Sequence, residues 1–193
     1  MLMLVAGVLL FFVPHSIAIV APHWRDRMVL HLGEGRWKGW YALLISAGLA
    51  LQVLGFSGAS RAPVVLYVAP ETLRYAALVL MLPVFPLLLA TYLPGRILAR
   101  IGHPMLSAVL LWSAAHLLVA GTLPSVVLFG AFFVWALVDR MSLQRRVPPR
   151  IRRAPARRYN DLLAMLLGLT LYALFVWRLH AWLFGVPLSA GGW

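Results

Sequence analysis

TLPSVVLFGAFFVWALV, residues 122–138, carries no charged side chain, whereas DRMSLQRRVPPRIRRAPARRY, residues 139–159, carries eight arginines. The first stretch is long enough to cross a bilayer, for which about 20 apolar residues suffice and about 17 is the usual lower end. The second is too polar and too rich in proline to enter one. The same alternation runs through the chain. Uncharged runs cover 2–21, 40–56, 75–95, 104–120, 122–138 and 162–177, with the last helix expected over 160–184. Fourteen of the seventeen Lys and Arg fall in three loops: 23–38 (Arg25, Arg27, Arg36, Lys38), 96–103 (Arg96, Arg100) and 140–159. Alternate connections thus hold the positive charge, as an excess of Lys and Arg in short cytoplasmic loops requires. The reading is all-α: a polytopic membrane bundle of six transmembrane helices, one domain over 1–193, with both termini outside.

Composition agrees. Mean hydropathy is +0.89, and 63% of residues are hydrophobic against 11% charged, far below the roughly 25% charged of a soluble domain. A net charge of +12 would suggest nucleic acid on a soluble surface. Beside membrane spans it points instead to anionic headgroups, at about 1 kcal/mol per Lys or Arg near the surface. The partner is a lipid bilayer, not nucleic acid. With no cysteine, disulfides, thiolate metal sites and Cys nucleophiles are excluded. No positive charge precedes the first apolar run, so it reads as a retained helix rather than a signal peptide.

Local signals divide the loops. In 23–38, Met28, Val29, Leu30, Leu32 and Trp37 interleave with charge, predicting a short interfacial helix with Trp at headgroup depth. The segment 140–159, with Pro148, Pro149 and Pro155, reads as an extended basic loop at the membrane surface. Pro83 and Pro86 should bend the third span by removing i→i−4 bonds. The short connection Gly121–Thr122–Leu123–Pro124 makes the fourth and fifth helices an antiparallel hairpin, with Pro124 in a first turn that tolerates its missing N–H.

The six spans contain no carboxylate, which argues against a proton pump or cation carrier. The ionisable groups at depth are imidazoles. His23, His31 and His180 read as interfacial. His15 and His116 lie inside apolar runs, where an ionisable residue is a functional hypothesis; the alternative is a neutral imidazole bonded to a backbone carbonyl as helix glue. His103, next to Pro104, reads as a helix start. It is separated from His116 by thirteen residues, a rise of about 19.5 Å and a rotation of about 220°, so the two cannot share one metal from a regular helix. Two imidazoles without thiolate or carboxylate suit haem iron better than zinc, which wants three or four protein ligands. From the helix ends, His15 lies about 9 Å and His116 about 19.5 Å above the inner boundary. Depth alone leaves His103 open as an alternative to His116. Trp112, one turn before His116, is placed to flank a porphyrin or simply to pack. Arg36, Lys38 and Arg100 are the basic residues available for propionates, or are solvated topology charges.

Pro14-His15-Ser16, Leu32-Gly33-Glu34, Tyr92-Leu93-Pro94-Gly95, His103-Pro104-Met105-Leu106, Trp112, Ala115-His116-Leu117-Leu118, Gly121, Leu128-Phe129-Gly130, Trp135 and Asp139-Arg140 together resemble the NnrU family, over about residues 1–145. That resemblance implies a bacterial cytoplasmic-membrane protein of denitrification and nitric oxide metabolism. The family is in turn similar to 15-cis-zeta-carotene isomerase, a membrane protein that holds haem b through two histidines. On its His-Ser and His-Pro…Ala-His segments, the correspondence makes His15 and His116 the axial ligands, with Ile17 in place of a glycine. The implied function is a haem b-binding sensor or redox component taking a small apolar or gaseous ligand. The alternatives are a haem-dependent cis–trans isomerase of a membrane polyene, or a non-enzymatic assembly or transport factor.

Overall fold

A computed structural model describes residues 1–146 and 151–188. Pro148, Pro149 and Arg150 of the basic loop lie outside them. The regular elements of the described residues are helices: α1 (Leu2–Val20), α2 (Pro22–Leu32), α3 (Glu34–Ala59), α4 (Glu71–Met81), α5 (Val84–Tyr92), α6 (Arg96–Ile101), α7 (Pro104–Val119), α8 (Leu123–Ser142) and α9 (Asn160–Leu174). A π-helical turn (Phe175–Leu179) links α9 to α10 (His180–Phe184). Five helical stretches are long and apolar enough to cross a membrane: Leu2–Val20, Glu34–Ala59, Glu71–Tyr92, Leu123–Ser142 and Asn160–Phe184. The sixth apolar run is the shorter Pro104–Val119. The protein is an all-helical, multi-pass membrane protein.

Several boundaries differ from the expected ones for local reasons. The 23–38 loop holds not one helix but α2 and the start of α3, divided at Gly33, whose φ of +79° favours a residue without Cβ. The helix α3 begins at Glu34 rather than residue 40, since Glu34 and Lys38 form an i,i+4 pair at 2.6 Å that suits the first turn of a helix outside the lipid. Trp24 of α2 and Trp37 of α3 meet edge-on at 6.0 Å. The third span breaks as its prolines require: α4 ends at Met81, and α5 restarts beyond Pro83, with Leu87 N–H donating to Pro83 O at 2.9 Å. Pro86 then sits in the first turn of α5, where its missing N–H removes no intrahelical bond.

The Cα positions divide into two compact units. The first, Met1–Pro70 with His116–Arg146, is built on the α1–α3 pair. Gly7 of α1 lies against the backbone of Gly48, Leu51 and Gln52, and Gly48 and Gly55 of α3 lie against the backbone at Leu10–Phe11 and Met3–Leu4. Small residues on successive turns let two membrane helices approach this closely. Buried Gln52 donates to Gly7 O at 3.2 Å, which satisfies its amide where lipid offers no acceptor. The helix α8 packs beside them through Phe132 and Trp135. Residues 64–67 run extended against the entry to α8: Leu66 N–H donates to Gly121 O at 2.7 Å, and Leu123 N–H to Val64 O at 2.8 Å.

The second unit comprises Glu71–Ala115 and the described residues from 151 onward. Its core is Val84, Leu87 and Ala108, with Met81, Leu111 and Trp112 packed on it. Gly168 of α9 lets Pro86 of α5 approach, and Tyr172 Oη donates to Leu78 O at 2.9 Å. At the start of α9 the turn 92–95 is pinned. Asn160 Nδ2 donates to Pro94 O at 2.9 Å, and the Asp161 carboxylate accepts Arg96 N–H at 2.7 Å and Ile97 N–H at 3.1 Å. The extended residues 151–157 lie along the same turn, through Ala154 N–H to Tyr92 O at 2.9 Å and Arg153 Nε to Thr91 O at 3.2 Å.

Candidate functional site around His15 and His116

His15 and His116 fall in the same compact unit, and both lie against α8. The His116 ring stacks on Phe129 at 4.4 Å and 25°. The His15 ring stacks on Phe11 at 4.4 Å and 26°, and meets Tyr41 at 5.4 Å and Trp135 edge-on at 5.4 Å. Phe129 and Trp135 are six residues apart, so the two imidazoles touch α8 at points separated by about 9 Å of rise. That is close to the difference in depth expected from the helix ends.

The tautomer of His15 follows from its neighbour. Its Nδ1 lies 2.7 Å from Phe11 O. A carbonyl oxygen can only accept, and it retains a lone pair beyond the one used by the helix, so Nδ1 carries the proton and Nε2 the free pair. A backbone carbonyl that fixes one ring nitrogen and frees the other is the arrangement that metal-bound imidazoles use. Among the described residues no group of three or more His, Cys, Asp and Glu could hold a metal ion.

Trp135 was not singled out as a site residue. Its Nε1 is the buried side-chain polar atom left without a hydrogen-bond partner among the described residues. Leaving a buried donor unpaired costs on the order of 1–3 kcal/mol. One turn further along α8, buried Asp139 pairs with Arg146, and Ser142 Oγ donates to Asp139 O at 2.7 Å. The signal for Trp135 is a tryptophan in an uncharged run, four residues before the aspartate that follows it, but nothing in periodicity separates it from a packing residue.

The remaining expected residues lie elsewhere. Trp112 packs against the core of the second unit. His103 precedes Pro104 at the start of α7, and its carbonyl accepts Ser107 Oγ at 3.2 Å. Arg36 lines a shallow groove of about 290 Å³ with Gly39, Trp40 and Leu43. Lys38 is engaged by Glu34 on an exposed face, and Arg100 is exposed in the last turn of α6.

An all-helical, multi-pass membrane protein with imidazoles in its apolar helices is the class these features define. A family profile described as NnrU protein matches residues 3–188, so the chain belongs to the NnrU family. The match runs through the last helix, past the residues 1–145 that carry the motifs. No match was found among curated proteins or solved structures.

Proposed function

We propose that this NnrU-family protein is a haem b-binding component of nitric oxide and denitrification metabolism in the bacterial cytoplasmic membrane. It acts as a sensor or redox carrier, with His15 and His116 as axial ligands. The observation that carries the reading is the fixed tautomer of His15, whose Nδ1–H is held by Phe11 O and whose Nε2 pair is left for iron. Haem iron supplies reversible one-electron chemistry and an exchangeable coordination position. The protein supplies two imidazole donors, an aromatic surrounding that excludes water, and a carbonyl that orients the His15 ring. Arg36 and Lys38, in the same unit as His15, are the candidates for propionate contacts. The exposed basic faces of α2 and of residues 151–158 rest on anionic headgroups.

The test is absorbance of detergent-purified protein expressed with abundant haem. A Soret band is expected, lost in His15→Ala and in His116→Ala and largely kept in His103→Ala. A protein without the band would overturn the proposal. Loss in His103→Ala with retention in His116→Ala would move the second ligand to His103.

A further inference from the structure

Beyond Leu174 the last span changes its winding. Phe175–Leu179 form a π-helical turn between α9 and α10. Such a turn, closed by i→i+5 bonds, winds more loosely than an α-helix and is frequent at functional sites. On a regular α-helix positions 177 and 182 would stand about 140° apart around the axis. The looser turn narrows that angle, and Trp177 and Trp182 line one groove of about 410 Å³ with Leu174, Arg178 and Leu179. Both rings are exposed. Arg178 is exposed as well, and its side chain forms no ion pair or hydrogen bond among the described residues.

Seventeen residues separate Asp161 from Arg178, a rise of about 25 Å against a hydrocarbon core about 30 Å thick. With Asp161 at one surface the groove lies at the other, where tryptophan rings settle at headgroup depth. The helices α4 and α5 run antiparallel to α9, since Pro86 meets Gly168 and Leu78 meets Tyr172. Glu71 and Arg74 therefore lie toward the groove end of α4, and their charges offset each other. Arg178 remains as one uncompensated positive charge. The polar lining side chains, a guanidinium and two indoles, are donors only. A phosphate suits this set, because the planar fork of Arg matches its oxygens. The ammonium of a zwitterionic headgroup would find no acceptor among the lining side chains.

We infer that this groove binds an anionic phospholipid, its phosphate on Arg178 and the glycerol end of its acyl chains against Trp177, Trp182 and Leu174. The site is at the end of the span opposite residues 151–158, and it is independent of the haem reading.

The chain has no cysteine, so Leu183→Cys, at an exposed position one turn beyond Leu179, gives a single attachment point for a fluorophore beside the groove. The labelled full chain is placed in phosphatidylcholine nanodiscs. Phosphatidylglycerol with a nitroxide quencher on its acyl chain near the glycerol is then titrated in, and phosphatidylcholine with the same group is titrated separately. Phosphatidylglycerol should quench at the lower mole fraction. Arg178→Gln in the same background should raise the fraction it needs about fivefold, equivalent to about 1 kcal/mol for one interfacial Arg. The phosphatidylcholine curve should not move. Arg61→Gln removes the same charge from the loop after α3 and should alter neither curve. Equal quenching by the two lipids in the parent, which needs no variant at Arg178, would overturn the inference. So would a preference that survives Arg178→Gln, or one that Arg61→Gln reduces as much, since net charge rather than the groove would then account for it.

Discussion

Gly48→Ala should loosen the α1–α3 pair that carries His15 and Tyr41, and its cost follows from three distances. A Cβ at position 48 would stand 2.7 Å from Phe11 N, 3.0 Å from Leu10 C and 3.0 Å from Phe11 Cα. Comfortable contacts between such atoms lie at about 3.5–4.0 Å, so the backbones must part by roughly half an ångström or more. The obstructing atoms are main chain, and no rotamer change relieves them. Overpacking of this kind costs about 1–3 kcal/mol, and the better helix propensity of alanine returns at most about 1 kcal/mol. Gly58→Ala on the same helix is the control, because its Cβ meets nothing within 4 Å and only the propensity gain remains. The difference between the two variants should therefore be about 2 kcal/mol. Reversible denaturation in mixed micelles, followed by circular dichroism, measures it. Equal stabilities for Gly48→Ala and Gly58→Ala would refute the close approach of the two helices.

Asp161→Ala removes the acceptor for Arg96 N–H and Ile97 N–H. It should destabilise by about 1–2 kcal/mol, as loss of a capping side chain does, and should speed proteolysis after Arg96 and Arg100. Gly95→Ala drives a methyl into that carboxylate, so its penalty should shrink in the Gly95→Ala, Asp161→Ala double variant; strictly additive effects would contradict the contact. Asp139→Asn replaces a carboxylate held by Arg146 and Ser142 and should cost about 1–3 kcal/mol, as for a hydrogen bond to a charged group. An unchanged midpoint in denaturant would show that solvent already screens the pair.

The spans were legible because lipid forces long uncharged helices, and charge punctuates them. The bend at Pro83 and the first-turn role of Pro124 were legible from proline chemistry alone. What escaped was anything set by contact between distant segments. Asp161 reads in sequence as a charge at the start of the last helix; its work, capping α6 and fixing the turn at Gly95, depends on α5 and α9 packing through Gly168 and Pro86. The helix α3 starts at Glu34, ahead of the uncharged run from residue 40, because charge limits only the part of a helix that lies in lipid. His15 and His116 could be named from their depth, but the tautomer of His15 required the Phe11 carbonyl, and Trp135 required knowledge that its N–H finds no partner.

Many residues that mark the family motifs have a structural reason here. Gly33 turns the chain at positive φ, Pro104 opens α7, Gly121 admits the Tyr67 backbone, Gly95 admits Asp161, and Asp139 is ion-paired. Trp135 differs, because its Nε1 is buried without a hydrogen-bond partner among the described residues. A prediction about stability follows. In the haem-free protein, Trp135→Phe removes an unpaired donor that costs on the order of 1–3 kcal/mol. It also loses buried ring volume, which costs about 1–2 kcal/mol for a core truncation of that size. The two effects nearly cancel, so the variant should unfold within about 1 kcal/mol of the parent. A loss of about 3 kcal/mol or more without haem, by the same accounting, would mean that the indole N–H is already bonded in the folded protein.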